Sequence, residues 1–538
     1  MRLEQYTQPF ASSFYKKYLG DAASLSSFFH YDWNQKAINH RINETDFSKH
    51  KRTELVEIVT NYMNQFGISE TAHKHLNELE DNGVVIVGGQ QAGLLTGPMY
   101  SIHKAISVIV LAKQQREILG VPVIPVFWIA GEDHDIDEIN HVYIERGRKL
   151  QKATYPSATK VKKIASASVL EKDLIESYLE ELFKSLPETL YTKKIYTKVT
   201  NLLTDYHTYS DFFAALMNVL FEEEGLLLID AAYTPLRKFE SEYFQVMIKN
   251  SAELARLVFE KEAEYDQNEY GTPIQAKEAA ANLFFVEDGE RFLLERHDHF
   301  FVNEAQGISF TEEEMLEIAK NHPEKLSNNV VTRPLMQEMV FPVLSFIGGP
   351  GEIAYWGTLK SAFELFDMKM PVIMPRLSIT VVNAKTQSLL DKFSFSVEDV
   401  WDGTVDAVKL QYINEHRNEK IPELLQSIKN DLVLKYEELN NLLHTEDIKL
   451  DPLVNKNLNN HEKQLTFIEH AIEDTFLGKL DASINRYDRI ILELAPDGSL
   501  QERIYSPLQL FNEVGPSFIQ ELLQVPYEFN GKHHVVFI

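Results

Sequence analysis

The chain has 538 residues, beyond the roughly 250–300 at which a single hydrophobic core stops growing, so two or more structural units are expected. Its 53 Lys plus Arg against 80 Asp plus Glu give a formal charge of -27, which repels polyphosphate backbones and anionic lipid and argues against nucleic-acid and membrane partners. The absence of cysteine excludes disulfides, thiolate-bound zinc, iron–sulfur clusters and a cysteine nucleophile, and leaves His, Asp, Glu and other oxygen donors for any metal.

No apolar run approaches a membrane span, and Met1-Arg2-Leu3-Glu4-Gln5 lacks the basic-then-apolar pattern of a leader, so a cytoplasmic protein is expected. Up to about Asn82 the sequence reads as helical, with Leu55, Ile58, Val59 and Tyr62 on one face. Val84-Val85-Ile86-Val87 then reads as a strand, followed by a glycine-rich loop, a helix from Tyr100 to about Leu119 and a second apolar strand within Val121 to Ala130. This β-loop-α-β order predicts an α/β fold with a Rossmann-like, doubly wound parallel sheet.

Residues 1–148 are expected to form the first part of that core and 149–328 to be insertions in it. Within the insertions, Leu226 to Ile229 reads as a strand, and Leu283 to Val286 with Phe292 to Leu294 reads as a hairpin turning at Asp288-Gly289. Thr311-Glu312-Glu313-Glu314 is a capping box that starts a helix. Core sequence returns over 329–384, with Val340 to Ile347, a turn at Gly348-Gly349-Pro350-Gly351, a helical stretch to Phe366 and the strand Val372-Ile373-Met374.

Over 385–500 the pattern becomes two long apolar stripes. One runs Ile421, Leu425, Ile428, Leu432, Tyr436, Leu439 and Leu443. The other runs Leu458, Leu465, Ile468, Ile472, Phe476, Leu480, Ile484, Tyr487 and Ile491. Joined around Asp451-Pro452, they predict an antiparallel α-helical coiled-coil arm that makes the protein a homodimer. Pro496-Asp497-Gly498 ends the arm, and 501–538, with Asn530-Gly531 as a hairpin turn, is expected to return to the core.

Three segments carry candidate chemistry. In the first, a strand runs into Gly88, Gly89, Gln90, Gln91, Gly93 and Gly97 and then a helix start, a place where backbone amides and the helix dipole attract an anion. Tyr100-Ser101-Ile102-His103 resembles the His-Ile-Gly-His signature of Rossmann-like nucleotidyltransferases and class I tRNA synthetases. His103 stands at the second imidazole, Tyr100 replaces the first, and Lys104 offers the missing positive charge. The companion Lys-Met-Ser-Lys-Ser element has no counterpart beyond the distant Pro375-Arg376-Leu377-Ser378.

The second segment follows the apolar strand that ends near Trp128, where Glu132, Asp133, His134 and Asp135 would stand at the carboxyl end of the sheet. They could hold an amine, bind Mg²⁺ through oxygen, or act as a general base. The third is Gly348, Gly349, Gly351, Glu352 and Tyr355, with Ser327-Asn328-Asn329 and Arg333 upstream as donors and Arg333 suited to a carboxylate or phosphate.

The Gly-Gly-Gln-Gln-Ala-Gly run at 88–93, the Gly-Glu-Asp-His-Asp run at 131–135, Arg333-Pro334 and the Gly-Gly-Pro-Gly-Glu-Ile-Ala-Tyr run at 348–355 together resemble the BshC family, across essentially the whole chain. The resemblance implies a cytoplasmic ligase of low-GC Gram-positive bacteria that adds cysteine to the amine of glucosaminyl-malate to form bacillithiol. It also implies connecting-peptide insertions in the Rossmann core and a coiled-coil dimerisation domain.

Activation of a carboxylate would use ATP or ADP, with Mg²⁺ possible. His103 and the loop would stabilise phosphate charge, Glu132, Asp133 and Asp135 would hold or deprotonate the amine, and Arg333 would hold a carboxylate. A further pocket is expected near Arg503, where the arm re-enters the core. Two other readings stay open at this stage: a nucleotide- or metabolite-binding scaffold whose coiled coil recruits a partner, and a metal-dependent hydrolase using His134 and His141.

Overall fold

Val84-Val85-Ile86-Val87 is apolar without alternation because, in the computed structural model, it lies in the middle of a sheet covered on both faces, with every one of these residues buried. The structure describes residues 1–147, 149–157 and 162–538. In chain order its framework consists of β1 (Arg2–Tyr6), β2 (Val84–Gln90), α1 (Met99–Leu119), β3 (Val123–Ile129), β4 (Leu227–Asp230), β5 (Ala280–Glu287), β6 (Glu290–His297), β7 (Leu326–Asn328), β8 (Val343–Gly348), α2 (Pro350–Trp356), β9 (Val372–Pro375), β10 (Ser378–Val382), α3 (Lys420–Thr445), α4 (Asp451–Leu494), α5 (Gln501–Ile504) and β11 (His533–Phe537).

The central sheet has the order β9-β8-β2-β3-β4 with all neighbours parallel, the Rossmann-like α/β arrangement expected from the sequence. Helix α1 packs on β2 and β3 and buries most of its first four turns, including Ile102, Ala105, Ile106 and Val108. Its fit to β2 is so close that a Cβ on Gly88 would stand 2.6 Å from Val108 Cγ2, and one on Gly89 would stand 2.6 Å from the Trp128 carbonyl oxygen. Gly88 and Gly89 are therefore residues of the strand, kept small by packing, and not members of the anion-binding loop the sequence suggested. Gly93 and Gly97 pack against one another in the connection to α1.

Three further departures from the expected layout come from long-range pairing. The amino end is not helical throughout, since β1 pairs antiparallel with β11, which pairs parallel with β10 in a separate three-stranded sheet. Residues 149–328 are more than insertions, because β4 within them is the edge strand of the central sheet. The turn at Asn530-Gly531 leads into β11 without a preceding hairpin strand. The expected boundary at 148 falls on a residue outside those described.

Insertion residues also build an antiparallel five-stranded sheet, in which β5, β6 and β7 stand beside the strands Phe300–Asn303 and Ile308–Thr311. The β5–β6 register places Asp288-Gly289 as a two-residue turn with both φ values positive, 51° and 82°, the primed geometry that matches strand twist. The capping box at Thr311 forms in both directions, Glu314 N to Thr311 Oγ1 at 3.2 Å and Thr311 N to Glu314 Oε2 at 2.7 Å.

Met1–Val382 with Ser499–Ile538 forms one compact unit and Asn383–Gly498 a second. In the second unit α3 and α4 run antiparallel, as the pairs Lys429–Glu469 (2.5 Å), Asn440–Asn455 (3.4 Å) and His444–Asp451 (2.5 Å) show. Asp451 and Pro452 open α4 rather than lying in the turn, with Pro452 where its missing N–H costs nothing. Among the described residues no helix is long and apolar enough to cross a membrane.

Gly289 and Gly307 both sit at positive φ, but a Cβ at Gly289 meets Ala167 Cβ at 2.8 Å whereas one at Gly307 meets nothing. We expect Gly307→Ala to cost about 1 kcal/mol for backbone strain alone and Gly289→Ala distinctly more, measured by denaturant unfolding. Equal losses would show that the hairpin tip yields without resistance.

Candidate active site

In the central sheet the chain winds outward from β2 to β3 and β4 in one direction and from β8 to β9 in the other, so the reversal lies between β2 and β8. Ligands of such sheets bind outside the carboxyl ends of the strands at this reversal. A cleft of about 650 Å³ opens there. Gly89, Gln90, Gln91, Tyr100, Lys104, Trp128, Glu132, Asp133, His134, Asp135, Arg333, Gly349, Gly351, Glu352, Tyr355 and Arg503 all line it, so three segments remote in sequence meet in one place. Arg503 belongs to this cleft and not to a separate pocket. Gly88, Gly93, Gly97, His103 and Gly348 do not line it.

At the reversal itself Lys104 from α1 meets Glu352 from α2. The Lys104 ammonium, only 2% exposed, donates to Glu352 Oε2 at 2.5 Å, to the Gly89 carbonyl at 2.7 Å and to Gln90 Oε1 at 3.0 Å. Burial lowers its pKa, and Glu352 works against that shift. The same Glu352 oxygen accepts from Gly349 N at 2.8 Å, capping the first turn of α2 from within, the half of a capping box that a glycine N-cap allows. Beside it the Arg333 guanidinium donates to the Tyr355 hydroxyl and, at 3.4 Å, to Gln337. Burial raises the Tyr355 hydroxyl to about 12, so it stays protonated.

The opposite wall follows β3. Glu132 is buried and accepts from Arg237, from Ser327 Oγ at 2.7 Å and from Asn328 N at 3.1 Å. Burial works to raise its pKa, but Arg237, Arg291 and these hydrogen bonds overcome it and hold Glu132 below the ordinary carboxylate value. All three of these bonds fall on Glu132 Oε2, so that oxygen is engaged by Arg237, Ser327 and Asn328. Arg237 also binds Glu240 at 2.7 Å, and burial pushes that second carboxyl up to about 7 although Arg237 opposes the shift.

Asp133 and Asp135 keep access to the cleft. Asp133 accepts from Gln91 Nε2 at 2.8 Å and from the His134 amide at 2.8 Å, and lies 3.6 Å from Arg291. Asp133, His134 and Asp135 offer ligand atoms within 4.8 Å of one another. His141 is not among them; it lies on the strand His141–Arg146 with its ring edge-on to Tyr143 at 5.4 Å, which removes the pairing on which a hydrolase reading rested.

The largest correction concerns His103. It is wholly buried, and its Nδ1 donates to Glu502 at 2.7 Å. Burial lowers the His103 pKa, so the ring is neutral, and it cannot face a phosphate in the cleft. The first amide of α1, Met99 N, is likewise taken, donating to the Tyr505 carbonyl at 2.7 Å. Glu502 also accepts from Arg376 at 2.9 and 2.6 Å, from Ser378 Oγ at 2.9 Å and from Ile379 N at 3.0 Å. Burial alone would raise this carboxyl, but Arg376 and the hydrogen bonds hold it well below the usual range. Next to it Arg503 lines the cleft with no side-chain hydrogen bond or ion pair to a described residue.

Sequence reasoning missed Arg291 and Arg376 as cleft residues. Arg376 directly follows β9 as Glu132 follows β3, so the strand-end rule that singled out Glu132 would also have found it. Arg291 carried no such signal, because its position depends on how the insertion sheet docks.

A Rossmann-like core with a polar cleft at the sheet reversal and a separate antiparallel helical hairpin defines the class. Residues 1–377 match the family described as "Bacillithiol biosynthesis BshC, N-terminal Rossmann-like domain", and residues 379–538 match "Bacillithiol biosynthesis BshC, C-terminal coiled-coil domain". A relative from Lysinibacillus sphaericus (strain C3-41) is 45% identical over 534 residues, 99% of each chain. One from Geobacillus sp. (strain WCH70) is 37% identical over 93% of this chain and 92% of its own. One from Geobacillus kaustophilus (strain HTA426) is 36% identical over the whole of both chains. All three carry the name "Putative cysteine ligase BshC". The chain belongs to the BshC family.

The buried carboxyls give a pH signature. Glu240 and Glu338, the latter also pushed up to about 7 by burial against the pull of Arg41, bind protons more tightly folded than unfolded. Their contribution is complete below the unfolded value near 4.5 and is lost as pH rises through about 7. The stability of the native protein relative to Glu240→Gln should therefore decline between pH 5 and pH 8, a comparison that cancels the buried histidines His30, His533 and His534, whose lowered pKa values act in the opposite sense. An unchanged slope in the variant would show that Glu240 is ionised throughout.

Proposed function

We propose that this cleft joins the carboxyl group of L-cysteine to the amine of glucosaminyl-malate, the last bond of bacillithiol, in the cytoplasm. One observation carries the reading. A single cleft holds accessible carboxylates, Asp133 and Asp135, on one wall and an unengaged guanidinium, Arg503, with the partly engaged Arg333, on the other. The names borne by the relatives agree with it.

Amide formation makes a C–N bond as the amine attacks the cysteine carboxyl carbon, breaks the bond from that carbon to its leaving oxygen, and releases a proton from nitrogen. Asp133 and Asp135 would hold the acceptor ammonium and take that proton. Gln91 and the His134 amide fix the Asp133 carboxylate for the task. Arg503 and Arg333 would orient substrate carboxylates across the cleft through paired N–H donors. The burial of Lys104, Glu132 and Trp128 keeps the floor dry and limits loss of an activated carboxyl to water.

ATP would supply a phosphate-bearing leaving group. The free donors of Arg503 and Arg333 suit its phosphates, and Asp133 with Asp135 suits a magnesium ion that keeps part of its water shell.

Purified protein given cysteine, glucosaminyl-malate, ATP and Mg²⁺ should yield the cysteine adduct by mass spectrometry. Asp133→Asn should lower kcat/KM by about 100-fold or more while melting within a few degrees of the native protein. Native-like turnover in the variant would remove Asp133 from the reaction, and no adduct from the native protein would overturn the ligase reading.

We also propose that the coiled-coil domain pairs two copies of the chain. Helix α3 has no buried residue, and Ile421, Ile428 and Leu439 of its apolar stripe stay 40–43% exposed although α4 lies against it. Leu434 and Phe467 stand 60% and 68% exposed. So much apolar surface on two helices suits a second pair across a two-fold axis. Light scattering of the full chain should give twice its 62.0 kDa mass, and Leu434→Glu with Phe467→Glu should give the single mass. A native protein of single mass at micromolar concentration would refute the pairing.

A further inference from the structure

Buried polar atoms without partners are uncommon in folded proteins, and a group of them along one ligand cleft calls for an explanation. Asn328, 1% exposed, has neither its Oδ1 nor its Nδ2 hydrogen-bonded. Arg291 Nε and Trp128 Nε1 are likewise buried and unpartnered, and all three residues line the cleft.

The Asn328 backbone is clamped from both sides. Its N–H donates to Glu132 at 3.1 Å and its carbonyl accepts from Arg291 Nη2. No hydrogen bond fixes its side-chain torsions, so rotation can present the amide to the cleft while the backbone stays in place. Arg291 is held in turn by its stack on Phe284, 3.7 Å from guanidinium carbon to ring centroid, and by Asp133 at 3.6 Å.

We propose that the Asn328 amide, turned into the cleft beside Arg291 and Trp128, forms a subsite for an uncharged polyhydroxyl group, the sugar ring of the acceptor, and that Asn328 determines specificity there. An amide offers two donors and an acceptor without net charge, which matches hydroxyls that both give and receive hydrogen bonds. The guanidinium of Arg291 already faces Glu132 and Asp133, so this wall has no net pull on an anion, in contrast to the side that carries Arg503. Sites built to bond a hydroxyl reject analogues that lack it far more strongly than apolar pockets do, because their own polar groups are then left unpaired. The sugar rests on the ligase reading; the existence of the subsite does not.

The decisive variant is Asn328→Leu, which keeps the size and removes both polar atoms. Removing unpaired buried polar atoms should leave Tm unchanged or raise it. KM for the amino-sugar acceptor should rise about 50-fold or more while KM for cysteine stays within twofold. Acceptors with one ring hydroxyl replaced by hydrogen should lose as much with native protein and almost nothing further with the variant. A fall in Tm with an unchanged acceptor KM would mark Asn328 as structural and overturn the proposal, and so would equal sensitivity of both proteins to the missing hydroxyls.

Calorimetric titration of the full chain with a methyl glycoside of glucosamine, without nucleotide or cysteine, separates this proposal from the ligase reading. Native protein should bind at least 10-fold more tightly than Asn328→Leu even if no amide is ever formed. Equal affinity, or no binding by either protein, would overturn the subsite whatever the turnover assay shows.

Discussion

A single buried ammonium organises the cleft at the centre of the parallel sheet. Lys104 leaves water at the reversal of the sheet, where an unpaired charge would be prohibitive, and its three acceptors come from two strand-end positions of β2 and from α2. Because the Lys104 stem and Val108 lie directly on β2, residue 88 must be glycine. Because Glu352 serves both Lys104 and the first turn of α2, the Gly-Gly-Pro-Gly-Glu run is bound to the Gly-Gly-Gln-Gln run across more than 240 residues of sequence. The glycine-rich segments that looked like anion cradles are largely the geometry needed to seat one lysine.

That substitution of packing for ligand binding explains where the sequence could be read and where it misled. Strands β2, β3, β8 and β9 were legible because fully buried parallel strands are apolar without interruption, and Asp288-Gly289 and Thr311–Glu314 because local rules decide them. The Glu132–Asp135 cluster was legible as a site from its place after a buried strand. Nothing local marks Arg2–Tyr6 as a strand; its pairing partner is more than 500 residues away. The fate of His103 was hidden for the same reason, since its partner Glu502 lies 399 residues further on.

The contrast between His103 and Glu132 carries a general point about buried charge. Both stand where a catalytic group would be sought, and both make buried structural bonds: His103 as a donor to Glu502, Glu132 through its Oε2 to Arg237, Ser327 and Asn328. Their chain neighbours, Asp133 beside Glu132 and Arg503 beside Glu502, line the cleft.

Glu502 follows the helical hairpin in the chain, which has consequences during synthesis. Until residues 383–498 have been made, Arg376, His103 and Ser378 have no carboxylate to receive their protons, β10 and β1 have no β11 between them, and α1 lacks the Tyr505 carbonyl at its first turn. A nascent chain can lay down the parallel sheet early but must carry a partly open cleft with an uncompensated buried arginine through the translation of more than a hundred further residues. The ribosome thus delivers the wall bearing Arg503 last, and a competent cleft exists only after the coiled-coil segment has been made.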